Sequence, residues 1–361
     1  WDFFMIVFFD TDRVLHQTWH YLDPGHPWRK EREDKSAVVR DYFSAVDWNM
    51  ARLLDHADDD TLVMIMSDHG MGPAHNFIVL NNWLLDVGML RLRRYPLTAL
   101  RRAMFRAGFS LRNVHRVVDW LGMAKHAEYR GLYSMDWLIK RVFLSFLDVD
   151  WPNSKAYSFG RHVGSIYVNV RGREPQGCVA PGAEYEAVRD EIARLALDFR
   201  DPRTGRRLIG QVLRREEIYA GPRLNEAPDL VLLPAEPFDI FFGLADFGFH
   251  ATVDTVYRYS GMHRDHGLLI MAGPNVRAGH TVEGAHIQDL APTILHALGQ
   301  PVPEDMDGRV LVDAFAEDYL ARLPVQRTVA QREQQGSPQG VYTPEEEREI
   351  VERLRDWGYL G

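Results

Sequence analysis

Four short apolar runs punctuate the chain: Phe3–Phe9, Leu62–Met66, Leu230–Leu233 and Leu268–Met271. Each is continuous rather than alternating, the pattern of a strand covered on both faces. Between the first two, residues 36–57 place Val38, Val39, Tyr42, Phe43, Val46, Met50, Leu53 and Leu54 at helical spacing. Strands alternating with helices predict an α/β core, a doubly wound and mostly parallel sheet flanked by helices. In such sheets ligands gather beyond the carboxyl ends of the strands, which is where Asp12, Asp68 and His69 fall.

The rhythm breaks twice, which divides the chain into a core at 1–85 and 225–320, a helical insertion at 86–150, a small α+β insertion at 151–224 and a polar tail at 321–361. The first insertion carries Arg91, Arg93, Arg94, Arg101, Arg102, Arg106, Arg112 and Arg116 without an acid between 91 and 118. Leu97, Leu100, Met104, Phe105 and Phe109 give it an apolar helical face. Such a stretch is either a solvated helix packed on the core or a basic amphipathic cap that meets an anionic substrate or a membrane surface. In the second insertion, residues 165–170 alternate like a half-exposed strand, 184–199 read as a helix, and Asp201-Pro-Arg-Thr-Gly205 reads as a loop. In the tail, Thr343, Pro344 and Glu346 form a capping signature for a terminal helix that ends near Gly358.

A net charge of −9 argues against a nucleic-acid polymer as partner, since neutralising phosphates needs a basic balance. No apolar run approaches the roughly 18 residues of a membrane span. The single cysteine, Cys178, rules out an internal disulfide, so no oxidising compartment is required. With no basic n-region or cleavage site, this leans towards a cytoplasmic protein. Trp1-Asp2 leads straight into the first apolar run, so a preceding segment is expected.

Three clusters carry candidate chemistry. Asp12 and His16 stand four residues apart, so a helix there would project both from one face towards one point. Asp68 and His69 close an apolar run and precede Gly70 and Gly72, which allow a sharp turn; a hairpin with a solvated tip is the plain alternative. Ser260-Gly-Met-His263-Arg-Asp-His266 supplies two further imidazoles, and spacing alone does not choose between them. Asp10, His20 and His26 read as solvent-facing or capping residues. Mixed Asp/His ligation of two nearby divalent cations is a common layout for phosphate-ester hydrolysis.

The chain resembles the alkaline phosphatase superfamily, in its type I phosphodiesterase/nucleotide pyrophosphatase branch. The motifs are Thr11-Asp-Arg-Val-Leu-His16, Ser67-Asp-His-Gly-Met71, Gly261-Met-His-Arg264, Ala272-Gly-Pro274 and Asp289-Leu-Ala-Pro-Thr-Ile-Leu295, continued by Gly299-Gln-Pro-Val-Pro303 and Asp307-Gly308. The resemblance implies that Asp12, His16 and His263 hold one metal and that Asp68 and His69 hold the other. It favours His263 over His266, and it makes Asp289 and Pro292 structural. The imidazole-rich set suits zinc, with manganese as the second choice.

The implied reaction is metal-dependent hydrolysis of phosphodiesters or nucleotide pyrophosphates, small-molecule phosphate esters, through a covalent phospho-enzyme. The resemblance places the Thr or Ser nucleophile and a further Asp ligand upstream of Trp1, so this chain alone is expected to be inactive. Thr11 and Ser67 are hydroxyls beside the ligands, yet neither matches the nucleophile motif. Two other readings remain, a non-catalytic chain that retains the fold and a phosphomonoesterase or phosphotransferase of the same superfamily.

Overall fold

The computed structural model describes residues 2–29, 33–120, 142–161, 164–243, 247–256, 259–329 and 348. The capping signature at Thr343–Glu346 and the helix end at Gly358 lie outside the described residues. The chain divides into two units: one of Trp1–Met5, Leu53–Asp68 and Leu269–Gly361, and a larger one of Ile6–Arg52 and His69–Leu268.

The larger unit opens with α1 (Asp10–Leu22) and contains most of α2 (Glu33–Leu54), on the segment whose apolar spacing predicts a helix. The smaller unit's β1 (Val63–Met66) precedes β2 (Gly70–Pro73) and β3 (Asn76–Val79) of the larger unit. Next come α3 (Leu80–Asp86), α4 (Pro96–Arg106) and α5 (Leu111–Trp120). Beyond them lie β4 (Ala156–Ser158), β5 (Gly160–Arg161), β6 (Gly164–Val168) and α6 (Ala183–Leu197). The unit continues with β7 (Ile209–Arg214), α7 (Arg215–Ile218), β8 (Leu230–Pro234), β9 (Asp239–Gly243), β10 (Val253–Thr255) and β11 (Gly261–Arg264).

Its strands form two four-stranded sheets, ordered β10-β3-β9-β5 and β4-β6-β8-β7, and a β11-β2 ribbon. Leu80, Leu84, Ile166, Ile192, Leu208 and Leu230 are all fully buried and belong to one core cluster of this unit. The smaller unit pairs β1 with β12 (Leu269–Ala272). It adds α8 (Leu290–Ala297), β13 (Val302–Pro303), α9 (Glu317–Arg322) and β14 (Arg327–Thr328), and its buried residues Leu311, Ala314 and Phe315 form a cluster packed by Leu62, Leu269 and Met271.

The protein is thus mixed α/β, but its described sheets are not the expected doubly wound parallel one. Only β3–β9 and β13–β14 pair in parallel; the other described strand pairs are antiparallel. The runs at 62–66 and 268–271 are direct antiparallel neighbours, β1 and β12, and the run at 230–233 lies in β8, between antiparallel β6 and β7. A continuous apolar run carries no information about strand direction, and the expected cover on both faces is also absent from β12, whose burial alternates with Ile270 50% exposed. Phe3–Val7 forms no strand among the described residues, and its side chains are exposed. The alternating segment at 165–170 also differs, because β6 is buried along both faces apart from Tyr167.

Several expected structural roles are visible. Asp201-Pro-Arg-Thr-Gly205 is a hydrogen-bonded turn, with the Gly205 amide donating to the Asp201 carbonyl at 2.7 Å. Asp289 is buried and accepts from the backbone amides of His286 (2.9 Å) and Arg309 (2.8 Å), fixing the start of α8. Three of the eight clustered arginines are structural. Arg101 donates to buried Asp148 at 2.9 Å, Arg93 donates to the Val149 carbonyl at 3.1 Å, and buried Arg112 pairs with Asp254. Burial, then neighbouring Arg116, pushes the Arg112 guanidinium down to about 10.

Asp148 also accepts from Thr98 Oγ1 at 2.7 Å and from the Ser145 amide at 3.2 Å. Asp148→Ala is therefore expected to cost about 1–3 kcal/mol, because it removes the acceptor of the buried Thr98 hydroxyl and one partner of the Arg101 guanidinium. A urea midpoint unchanged from the parent would contradict this role for Asp148.

Candidate metal centre

The site is built in the larger unit from α1, the β11-β2 ribbon and the turn before β2. Helical geometry carries Asp12 and His16 on one face of α1, as their spacing predicts. In the ribbon His263 lies opposite Met71, and Arg264 opposite Gly70. Gly261 lets α1 approach closely: a Cβ there would stand 2.5 Å from the Leu15 carbonyl oxygen and 2.9 Å from Trp19 Cβ. Gly70 is needed for a similar reason, since its Cβ would overlap the His266 carbonyl oxygen. Gly261→Ala is expected to push α1 off β11 and to lower both stability and metal affinity. An unchanged melting temperature with unchanged zinc binding would contradict this.

Asp12, His16 and His263 converge. His16 Nε2 lies 3.0 Å from His263 Nε2, His263 Nε2 lies 3.1 Å from Asp12 Oδ1, and His16 Nε2 lies 3.3 Å from the same oxygen. Ligands on a tetrahedral zinc at about 2.0–2.1 Å stand roughly 3.3 Å apart, so the triangle has the dimensions of one cation's coordination face. Among the described residues these three are the one group of ligand side chains gathered closely enough to hold a metal ion.

The orientation of the rings also fits a cation. His16 Nδ1 lies 2.8 Å from the Gly261 carbonyl oxygen and His69 Nδ1 lies 3.0 Å from the Gly70 carbonyl oxygen. A carbonyl accepts only, so in each ring Nδ1 carries the hydrogen and Nε2 presents its lone pair. His69 Nε2 faces Asp12 Oδ1 at 3.7 Å, and its ring stacks on His263 with centroids 3.6 Å apart. Burial first, then His69 and His16, hold the His263 imidazole below its ordinary value, against the pull of Asp12. This favours the neutral form that ligates metals.

His69 therefore borders the Asp12–His16–His263 triangle. Asp68, its peptide neighbour, is exposed in the smaller unit's segment and is not one of the three gathered ligands. His266 is exposed and likewise outside the group. The Thr11 hydroxyl donates to the Phe8 carbonyl at 2.7 Å.

Sequence reasoning passed over Tyr259, whose ring meets His16 edge-on at 5.7 Å, and Ser260, whose amide donates to the His16 carbonyl at 2.7 Å. Their position just before Gly-x-His was the only available signal. Of the residues read as solvent-facing or capping, His26 and His20 make specific contacts. His26 is buried, its Nδ1 accepting from the Trp28 amide and its Nε2 donating to the Ala74 carbonyl, and His20 is hydrogen-bonded to Ser260 Oγ at 2.9 Å.

Burial lowers His20 and His75, with His26 as the second cause for each, and it also lowers His250 and His296. The unfolded chain therefore binds more protons than the folded one just below the ordinary histidine value of about 6.5. Stability should be fully present above that pH and fall as the pH drops towards the lowered folded values. Denaturant midpoints at pH 7.5 and 5.5, compared for the parent and His75→Gln, would check this; a midpoint that rises on acidification would contradict it.

Asp12, His16 and His263 thus form, in an α/β protein, an Asp/His₂ triangle with the dimensions of a divalent-cation site. The match with the family model for type I phosphodiesterase / nucleotide pyrophosphatase spans residues 1–267 and takes in all three clusters, so the chain belongs to that family. No curated protein and no solved structure matches it.

Proposed function

We propose that this protein is a metal-dependent phosphoric ester hydrolase acting on phosphodiesters or nucleotide pyrophosphates. Family membership supports phosphoester hydrolysis, and the convergence of Asp12, His16 and His263 is the observation that carries the metal dependence. Asp12 would supply the anionic ligand and the two imidazoles the neutral ones, a set that favours zinc over magnesium and admits manganese. His69, which borders the triangle, would serve a second cation. Bound divalent cations of this kind supply Lewis-acid stabilisation to phosphoryl oxygens. The Gly261 and Gly70 carbonyls hold His16 and His69 in the tautomer that presents Nε2.

The resemblance to the superfamily supports a covalent phospho-enzyme, and the hydroxyl nucleophile of that reaction is assigned to none of the residues in this sequence. The test therefore has two readouts. AMP, a phosphate-ester product, should bind in calorimetry with zinc present and not with EDTA or in Asp12→Ala. Any hydrolysis should favour bis-p-nitrophenyl phosphate over p-nitrophenyl phosphate and disappear with EDTA. AMP binding indifferent to EDTA would contradict the metal dependence, and a preference for the monoester would contradict the substrate class.

A further inference from the structure

A helix on a protein surface ordinarily turns polar residues outward, and α4 turns an apolar strip outward as well. Its buried side is set by Thr98 and Phe105, with Arg101 tied to Asp148. The outward positions Leu97, Ala99, Leu100, Ala103 and Ala107 are all exposed and carry no polar side-chain atom. Leu97 and Leu100 are 56% and 57% exposed, and Tyr95 at the helix start is 61% exposed.

Arginines flank this apolar strip. Arg94, Arg102 and Arg106 are exposed, and no acid occurs anywhere between 91 and 118. Among the described residues no ion pair neutralises these three arginines. The protein as a whole carries −9, so the patch opposes the sign of the molecule that bears it. The next helix, α5, likewise ends on exposed Arg116, Val117 and Trp120.

Apolar side chains flanked by arginine and tyrosine are the composition of a helix that lies in a lipid interface. A nucleic-acid polymer would match the charge but would give Leu97 and Leu100 nothing to enter. A neutral protein groove would match the leucines but would leave the arginines without counter-charge. We propose that the exposed face of α4 docks on an anionic lipid surface, with Leu97 and Leu100 entering the acyl boundary and Arg94, Arg102 and Arg106 meeting lipid phosphates. This does not depend on the metal centre.

Flotation of the full chain with phosphatidylcholine vesicles, with and without phosphatidylserine, tests it. Binding should require phosphatidylserine and weaken with added salt. Arg102→Gln/Arg106→Gln should lower the partition coefficient by about fivefold per arginine. Leu97→Ser/Leu100→Ser should abolish binding and leave the melting temperature unchanged. Absence of binding to the anionic vesicles would overturn the proposal. So would a Leu97→Ser/Leu100→Ser variant that loses stability or dissociates a dimer, because the face would then be covered by the chain itself or by a second copy. Salt-sensitive binding to single-stranded RNA that survives the leucine changes, without vesicle binding, would also overturn it.

Discussion

His263→Ala is expected to lower the affinity for zinc by more than about 100-fold, while His266→Ala leaves it unchanged. Loss of an outer partner of a ligand already costs about 10–100-fold, so loss of a ligand should exceed that. His263 Nε2 lies 3.0 Å from His16 Nε2 and 3.1 Å from Asp12 Oδ1, so removing it opens one corner of the triangle. His266, two residues past β11, contributes no ligand atom to the group. Competition against a chromophoric chelator gives both affinities. Equal losses in the two variants would mean that the choice between the imidazoles is wrong.

The largest expected effect on stability is at Asp229. Its side chain is fully buried and accepts two bonds from the Arg173 guanidinium, at 2.8 and 2.6 Å. It also accepts from the Tyr185 hydroxyl and from the Val168 amide, each at 2.6 Å, and Arg215 stands 3.3 Å away. Burial, and then the Asp229 hydrogen bond, push the Tyr185 phenol above its usual range.

A carboxylate that joins β6, β8, α6 and the turn after β6 is the polar centre of this sheet. Asp229→Ala leaves a guanidinium, a phenol and an amide without their acceptor, and it should cost about 3–5 kcal/mol. Asp229→Asn should cost less, since the amide oxygen still accepts and Glu174, 2.7 Å from Arg173 Nε, still answers the guanidinium charge. Denaturant unfolding measures both, and a loss below about 1 kcal/mol for the alanine variant would contradict the assigned role.

The candidate site was more legible in the sequence than the fold was. Asp12 and His16 share a helical face because the 3.6-residue period is a local property, readable from five consecutive residues. His263 needed the register of β11 on β2, which places residues nearly two hundred positions apart in contact. Only the resemblance to a family singled it out.

The helices α2, α4 and α6 were legible for the same local reason, whereas α1 entered only as a condition on the Asp12–His16 spacing. Strand direction was not, because the run 62–66 has the same apolar character whether its neighbour runs with it or against it, and the antiparallel β1–β12 pair is the outcome. Phe3–Val7 has the composition of a strand, but pairing depends on a partner edge, which composition does not encode. The Asp229 network was invisible because Arg173, Tyr185 and Asp229 look like ordinary scattered polar residues until β6 and β8 pair.

The arginine stretch is divided by structure in a way its sequence did not show. Arg101 and Arg112 are tied to the carboxylates of Asp148 and Asp254, whereas Arg94, Arg102 and Arg106 face outward. A substitution series that treats them alike would mix loss of fold with loss of recognition.

Metal content per chain, measured by mass spectrometry on protein purified without chelator and again after reloading with zinc, tests the central claim most directly. At least one zinc or manganese per chain in the parent, absent from Asp12→Ala/His263→Ala at unchanged secondary structure, is the predicted result. A folded parent that retains no metal after reloading would contradict it, because three ligand atoms only 3.0–3.3 Å apart would then be an ordinary hydrogen-bonded cluster.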